Sequence, residues 1–255
     1  DLRRSGDRRS NRRVIRIRNT CRIMKLMTSS FNIAYQSYYD AIDTVLKEGY
    51  IVLEIGGGRH PSIIKRKGLD YTIVDPDSSE LIKSPEDIKQ INCTIQKLNK
   101  EIKYDLIISK MVLEHVEDPD SFHKQILELL KPSGKVIHFF ACRHSLPALV
   151  NRLLPEAFGD MILRVINNRN LEESPKYEAY YRRTKGHVKN QIEYLLKKGY
   201  IINEYHSFVG HKYLQNIPFL GFLEKIYTKT LVYLKLKSLS TVSLIVLSRK
   251  KNDEI

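Results

Sequence analysis

The stretch YIVLEIGGGRHP, residues 50–61, decides the fold of this 255-residue chain. Its first six residues are aromatic, β-branched or apolar apart from Glu54, a composition typical of a buried strand. Three successive glycines then allow a tight turn and a close approach of the backbone to a ligand. Pro61 stands where a short helix can begin. The stretch therefore predicts a strand, a glycine turn and a helix in succession.

The same alternation of apolar strands and helical segments continues along the chain. A helical pattern over residues 31–47 comes first and ends at Gly49. Further strands are predicted at residues 71–74, 91–95, 105–108, 135–140, 201–208 and 241–248, and further helices near residues 121–130, 146–154, 161–167, 187–197 and 213–239. Short, continuously apolar strands separated by helices are typical of a parallel sheet covered on both faces. The sequence predicts an α/β fold.

The chain is predicted to contain one domain, residues 28–255, behind a basic arm, residues 1–27. Residues 1–25 carry nine Arg and one Lys against two Asp, so they hold +8 of the formal net charge of +14. Such a segment has no apolar periodicity and is expected to be disordered, with an organellar presequence or a nucleic-acid-binding tail as alternatives. No linker rich in Gly, Pro or Ser divides the remaining sequence.

Two simple counts bear on the compartment of the protein. The longest stretch without a charged residue, residues 26–39, has fourteen residues, well short of the roughly 20 apolar residues of a membrane-spanning helix. Three cysteines, Cys21, Cys93 and Cys142, are odd in number and widely spaced, which suits neither a disulfide framework nor a zinc site. The sequence therefore predicts a cytoplasmic protein without a metal site.

Glu54 indicates the kind of ligand that the glycine turn accepts. A carboxylate inside an apolar strand is costly to bury unless a cation or hydrogen-bond donors meet it. A dinucleotide-binding strand does not need this acid, and the turn also lacks the last glycine of the G-x-G-x-x-G pattern. A ligand that carries both a cation and a ribose fits better than a nicotinamide dinucleotide.

These motifs resemble those of the class I methyltransferases that depend on S-adenosyl-L-methionine (SAM). The likeness extends over about residues 50–140 and is carried by VLEIGGG at residues 52–58, Asp75, YDLIIS at 104–109, EHV at 114–116 and LKPSGK at 130–135. One departure is His60, which stands where the family often has a third glycine. A weaker likeness, in YYR at 180–182, residues 195–199 and residues 243–250, is to a bacterial subgroup associated with glycan and secondary-metabolite clusters.

The resemblance implies a Rossmann-like fold, with a mostly parallel central sheet, an antiparallel pair of C-terminal strands and helical lid insertions. It also implies SAM as the cofactor. The residues that it places at the cofactor are Glu54, Gly56, Gly57, Gly58, Asp75, Thr94, Ile95 and Ser109. Asp75, 21 residues after Glu54, is expected to accept from the ribose hydroxyls, with a turn cap before Pro76 as the alternative. Glu54 is expected to organise the glycine loop and to favour the positive charge of the ligand. The alternative, which is compatible with the first, is a structural acid that bonds nearby backbone N–H groups.

Two histidines are candidates for the acceptor side. Methyl transfer from a sulfonium needs alignment, exclusion of water and, for a hydroxyl acceptor, a base, but no metal. His115 is the candidate base because imidazole titrates near neutral pH, although a residue in this position can also simply line the pocket. His144, which follows the predicted fifth strand, is a second candidate for contact with the acceptor.

The expected acceptor is a small molecule, a glycan or a lipid-linked compound, with O-methylation slightly favoured. A nucleic acid is disfavoured as the specific substrate, because SKMV at residues 109–112 stands where base amino-methyltransferases carry Asn/Asp-Pro-Pro-aromatic. Residues 213–239 predict an amphipathic helix that either covers the active site or makes peripheral contact with a membrane. Three alternatives stay open: a non-catalytic SAM-binding interaction protein, a nucleic-acid methyltransferase and a nicotinamide-dependent oxidoreductase.

Overall fold

A computed structural model describes residues 31–64, 67–153, 177–210 and 218–250, and confirms the α/β fold. Seven strands form one sheet. They are β1 (Ile51–Ile55), β2 (Asp70–Asp75), β3 (Lys89–Asn92), β4 (Tyr104–Lys110), β5 (Leu130–Ala141), β6 (Tyr200–Phe208) and β7 (Val242–Arg249). The helices are α1 (Phe31–Val45), α2 (Ser78–Leu81), α3 (Pro119–Leu129), α4 (Leu146–Leu153), α5 (Lys189–Lys197) and α6 (Pro218–Tyr233). Short 3₁₀ turns occupy Ile95–Lys97, Leu113–His115 and Lys237–Leu239.

The order of the strands in the sheet is β3-β2-β1-β4-β5-β7-β6. Strands β1 to β5 pair in parallel, whereas β7 is antiparallel to both β5 and β6. This arrangement is the predicted mostly parallel sheet with an antiparallel C-terminal pair. The strand order reverses between β1 and β4, so the crevice in which open α/β sheets bind ligands lies at the carboxyl ends of these two strands.

Both faces of the sheet are covered, which explains why its strands read as continuous apolar runs. On one face, α1 packs its apolar residues Ala34, Tyr38 and Ile42 against alternate side chains of the strands. The other face is covered by α3 and α5. Helix α3 begins where the Asp118 side chain accepts from the backbone N–H groups of residues 120 and 121, ahead of Pro119 in the first turn.

The structure corrects one predicted helix and the bounds of two predicted strands. The short helix predicted to begin at Pro61 does not form in residues 61–64, where the chain bends and Ser62 donates to the Glu54 carboxylate. The third strand was predicted at residues 91–95 but ends at Asn92, because the chain turns there and buries Ile95 in the core beside α3. The fifth begins at Leu130, five residues before the predicted start, and its pairing with β4 is interrupted by an irregularity after Tyr104. The predicted arm, residues 1–27, and the helix predicted at residues 161–167 lie outside the described residues.

In residues 31–64, 67–153, 177–210 and 218–250, no helix is both long enough and apolar enough to cross a membrane.

Candidate active site

The glycine turn lies at the carboxyl end of β1, between the ends of β2 and β4. The backbone N–H of Gly56 donates to the carbonyl of Val74 at 2.8 Å and fastens the turn to β2. Gly56 has φ +70°, and a Cβ atom there would lie 2.4 Å from the Val112 Cγ2 atom. Only glycine therefore fits between the turn and the segment that follows β4.

Glu54 is buried beneath this turn and does not line the cleft in front of it. Its carboxylate accepts from the Ser62 backbone N–H at 2.9 Å, from the Ser62 hydroxyl at 2.5 Å and from the Tyr71 hydroxyl. Burial raises the pKa of Glu54, and the hydrogen bonds from Ser62 and Tyr71 oppose that rise. These contacts match the structural interpretation of Glu54, since they join β1, β2 and the end of the glycine loop.

Asp75 ends β2 and faces the glycine turn from the other side. Its Oδ1 atom accepts from the Asp77 backbone N–H at 2.9 Å. Its Oδ2 atom lies toward Gly58, where an added Cβ atom would be 3.5 Å away. Burial raises the pKa of Asp75. One carboxylate oxygen thus holds the turn, and the second is directed toward the space beside the glycines.

A cleft of about 530 Å³ opens at this edge of the sheet. Its size lies within the range of about 300–1,000 Å³ that is usual for small-molecule sites. The residues that line it come from the glycine turn, the ends of β2 and β4, and a segment near residue 178. They are Gly56, Gly57, Gly58, Arg59, His60, Asp75, Pro76, Asp77, Glu80, Lys110, Met111, Val112, His115, Tyr177, Glu178 and Tyr180.

His115 lies in the cleft, at the end of the 3₁₀ turn that follows β4. Its Nδ1 atom is 2.6 Å from the carbonyl oxygen of Glu178. Because a carbonyl oxygen can only accept, Nδ1 carries the proton and Nε2 of the neutral ring keeps its lone pair. Burial lowers the pKa of His115, partly opposed by the bond to Glu178, so the neutral ring is favoured at neutral pH.

The neighbouring Glu114 is a less suitable base. Its side chain is buried and does not line the cleft. One carboxyl oxygen accepts from the Ala141 backbone N–H at 3.4 Å, and the other has no hydrogen-bond partner in the described part of the chain. Burial raises the pKa of Glu114 to about 8. At neutral pH this carboxyl group is mostly protonated, so His115 is the stronger candidate.

The segment of residues 177–182 closes one side of the cleft. The Tyr177 hydroxyl donates to Asp77 Oδ2 at 2.6 Å, and the Tyr181 backbone N–H donates to the Glu114 carbonyl at 2.9 Å. Arg182 donates to the Glu117 carbonyl at 2.7 Å. The segment therefore connects the end of β2 with the region after β4. Sequence reasoning missed Tyr177 and Glu178, although the likeness at residues 180–182 indicated their neighbourhood.

Besides Glu54, four of the predicted site residues lie away from the cleft as the described residues form it. Ser109 is buried in β4, where its hydroxyl lies 2.7 Å from His138 Nδ1. Thr94 precedes the turn after β3, and Ile95 is buried in the core. His144 lies between β5 and α4. Their proposed contacts with cofactor or acceptor stay predictions.

The comparison with protein families agrees with this geometry. A family model described as a methyltransferase domain matches residues 33–189, which is more than half of the chain. The chain belongs to the class I SAM-dependent methyltransferases. No curated protein matches its sequence. The solved structures that share its fold are likewise distant from it in sequence.

Three solved structures illustrate what this methyltransferase is similar to. One is a protein from Listeria monocytogenes assigned as a SAM-dependent methyltransferase, with a TM-score of 0.54, 15% identity, and coverage of 86% of this chain and 100% of that chain. Another is the N-methyltransferase NodS from Bradyrhizobium japonicum, with a TM-score of 0.52, 12% identity, and coverage of 86% of this chain and 96% of that chain. A third is phosphoethanolamine N-methyltransferase 2 from Haemonchus contortus, in complex with SAM. Its TM-score is 0.50 and its identity 15%, with coverage of 86% of this chain and 56% of that chain. At these identities, the likeness concerns the fold.

SAM is the cofactor of this methyltransferase, and the residues at the cleft fit it. Gly56 and Gly58, with φ +70° and +37°, let the turn pack closely against Val112 and Glu80, so that the turn presents its backbone to the cleft as a cradle for the cofactor. Asp75 offers a carboxylate oxygen for ribose hydroxyls beside that cradle. The charge of the sulfonium also suits the cleft, because its lining holds more carboxylates than cations: Asp75, Asp77, Glu80 and Glu178 against Lys110 and Arg59, the last of which is paired with Glu80.

Replacing Asp75 by alanine is expected to weaken SAM binding by about 1.5–3 kcal/mol, the usual contribution of a hydrogen bond to a charged group. Isothermal titration measures this change, and the urea midpoint of the free protein shows that the domain stays folded. Asp75→Asn is the matched control because it keeps an oxygen for the Asp77 N–H and loses the charge. Unchanged affinity in Asp75→Ala would mean that Asp75 is only a turn residue.

Proposed function

We propose that this methyltransferase methylates a hydroxyl group of a small-molecule, glycan or lipid-linked acceptor. The observation that carries the proposal is His115, whose Nδ1–H is held by the Glu178 carbonyl within the same cleft as Asp75. This arrangement leaves Nε2 able to take a proton. A hydroxyl acceptor loses its proton as it attacks, so it gains from such a base, whereas an amine that is already neutral gains less.

The roles of the other residues follow from their positions. SAM supplies a methyl group that is already activated by the positive sulfur. The glycine turn, held by Glu54 through Ser62, and the Asp75 carboxylate orient the cofactor. Tyr177, fixed to Asp77, and Glu178, fixed to His115, wall the cleft and restrict the access of water. His115 then accepts the proton of the acceptor hydroxyl at Nε2.

The nature of the acceptor is supported by the shape and chemistry of the cleft. Its volume of about 530 Å³ suits a small molecule or one end of a glycan or lipid-linked compound. It is lined at the end of β4 by Lys110 and just after β4 by Met111 and Val112, without the Pro-aromatic run of base amino-methyltransferases. These features favour a small acceptor over a nucleic acid as the specific substrate.

An acceptor screen tests the proposal. The full chain is incubated with SAM labelled in the methyl group and with panels of phenols, sugars, lipid-linked sugars, amines and RNA, and label transfer is measured. We expect transfer to a hydroxyl compound, with the label stable to conditions that hydrolyse methyl esters. Transfer only to amines or only to RNA would refute the proposed acceptor. SAM binding without transfer to any class would favour the non-catalytic alternative.

A further inference from the structure

Helix α6 shows an inverted distribution of polar and apolar side chains. The residues that it buries are Gly221, Glu224, Thr228 and Leu231, spaced three or four residues apart on one face. The opposite face exposes Phe219, Phe222, Leu223 and Ile226, with Phe219 69% and Phe222 60% exposed. These four residues form the α6 apolar face. A helix in a globular protein normally turns its apolar stripe inward, so an exposed one indicates an interaction surface.

The charge around the α6 apolar face is positive. Lys225 and Lys229 are exposed along one flank of it, and Lys235 is exposed just beyond the helix. The only acidic residue among residues 218–250 is Glu224, which is buried on the opposite face. Apolar residues beside lysines, without exposed acids, are the composition of helices that lie on anionic membranes. The lysine stems can extend along the apolar face while their ammonium groups reach lipid phosphates.

The position of α6 in the fold relates this face to the cleft. Helix α6 follows β6 and precedes β7, and β6 ends and β7 begins at the same edge of the sheet as the carboxyl ends of β1 and β4. The turn after α6 packs on Gly186, where a Cβ atom would lie 1.9 Å from the Lys237 carbonyl oxygen. Gly186 follows the wall of the cleft, residues 177–182, by four residues along the chain.

We propose that the α6 apolar face docks on an anionic lipid bilayer, with Phe219, Phe222, Leu223 and Ile226 inserted among the headgroups. A second copy of the chain suits this face less well, because two identical faces would bring Lys225 and Lys229 toward the same residues of the partner. A bilayer instead supplies negative charge beside an apolar layer. Docking is independent of methyl transfer, although it would bring the cleft edge of the sheet toward lipid-linked compounds.

Tryptophan fluorescence tests the insertion directly, because the chain contains no Trp. Phe222→Trp in the full chain reports from the α6 apolar face. Ile102→Trp is the matched control, since Ile102 is exposed just before β4, at the opposite edge of the sheet. With vesicles of phosphatidylcholine and phosphatidylglycerol, we expect a blue shift and quenching by brominated lipid for Phe222→Trp alone. If the emission of Phe222→Trp does not change when vesicles are added, whether or not the protein binds them, the proposal is overturned.

Vesicle co-sedimentation separates this surface from the basic arm, which attracts anionic vesicles by charge alone. At high salt, where the charge contribution is screened, the double variant Phe222→Ser with Ile226→Ser should partition at least about tenfold more weakly than the unaltered chain. Its control is Ile82→Ser, which removes an apolar side chain that is exposed on another surface. Equal partitioning of the double variant and the control would refute docking through α6.

The charged flank is tested by Lys225→Glu with Lys229→Glu against the control Lys189→Glu, an exposed lysine of α5. We expect the α6 pair to reduce binding to phosphatidylglycerol vesicles severalfold more than the control does. Analytical ultracentrifugation provides the opposing outcome. A dimer that is lost in Phe222→Ser with Ile226→Ser, together with no vesicle binding, would assign the face to a second copy and overturn the proposal.

Discussion

Replacing His115 by alanine is expected to lower the single-turnover rate of methyl transfer by about 10²–10⁴-fold, the usual contribution of a positioned base. The expected affinity for SAM is nearly unchanged, because the glycine turn and Asp75 make their contacts without His115. The measurement uses saturating SAM and a hydroxyl acceptor. A wild-type rate in His115→Ala would reduce this residue to a wall of the cleft.

Two controls separate the base from its surroundings. His115→Asn keeps a donor near the Glu178 carbonyl but has no group that can take the acceptor proton, so it should be nearly as slow as His115→Ala. Added imidazole should restore part of the rate in His115→Ala and none in His115→Asn, which fills more of the space.

His144→Ala, by contrast, is expected to raise the Michaelis constant of the acceptor and to leave the rate at saturation similar.

The pH dependence of the reaction gives His115 a signature of its own. Burial lowers the pKa of the imidazole below its usual value of 6.5. The neutral, proton-accepting form therefore predominates at neutral pH and is lost as the pH falls through this lowered pKa. The rate of the unaltered protein should rise with pH along a limb whose midpoint lies below pH 6.5 and should then level off, and His115→Ala should lack this limb.

Much of the fold was predictable because its signals are local. The apolar runs of β1, β2 and β4 and the glycine turn each lie within a few consecutive residues, and the structure places the strands within about two residues of their predicted bounds. Glu54 was also a local signal, as an acid in an apolar strand. Its role depends on Ser62 and Tyr71, eight and seventeen residues away, so the sequence left that role open.

The rest of the site depends on contacts between distant residues. Tyr177 meets Asp77 across one hundred residues, and His115 meets the Glu178 carbonyl across sixty-three. No periodicity or motif in the intervening sequence indicates these pairs. Helix α6 shows a related limit, because its pattern predicts an apolar face but does not indicate what covers it. One interpretation placed that face over the active site, whereas the structure leaves it exposed.

Replacing Glu54 by alanine is expected to lower the free energy of unfolding by about 3–5 kcal/mol, because it strands buried donors of Ser62 and Tyr71 and leaves a cavity. It should also weaken SAM binding by at least about tenfold, since a charge-assisted bond to the Ser62 backbone N–H fixes the end of the glycine loop. Urea unfolding measures the first effect and isothermal titration of SAM the second.

The two effects distinguish Glu54 from Asp75, whose replacement should change affinity with little loss of stability. Glu54→Gln is the informative intermediate, because its amide keeps the volume and one acceptor oxygen but turns an N–H₂ group toward donors. We expect its unfolding free energy to lie between those of the unaltered protein and Glu54→Ala. If Glu54→Ala keeps full stability and loses only SAM affinity, the carboxylate acts on the cofactor charge itself, and its contacts with Ser62 and Tyr71 do not determine its role.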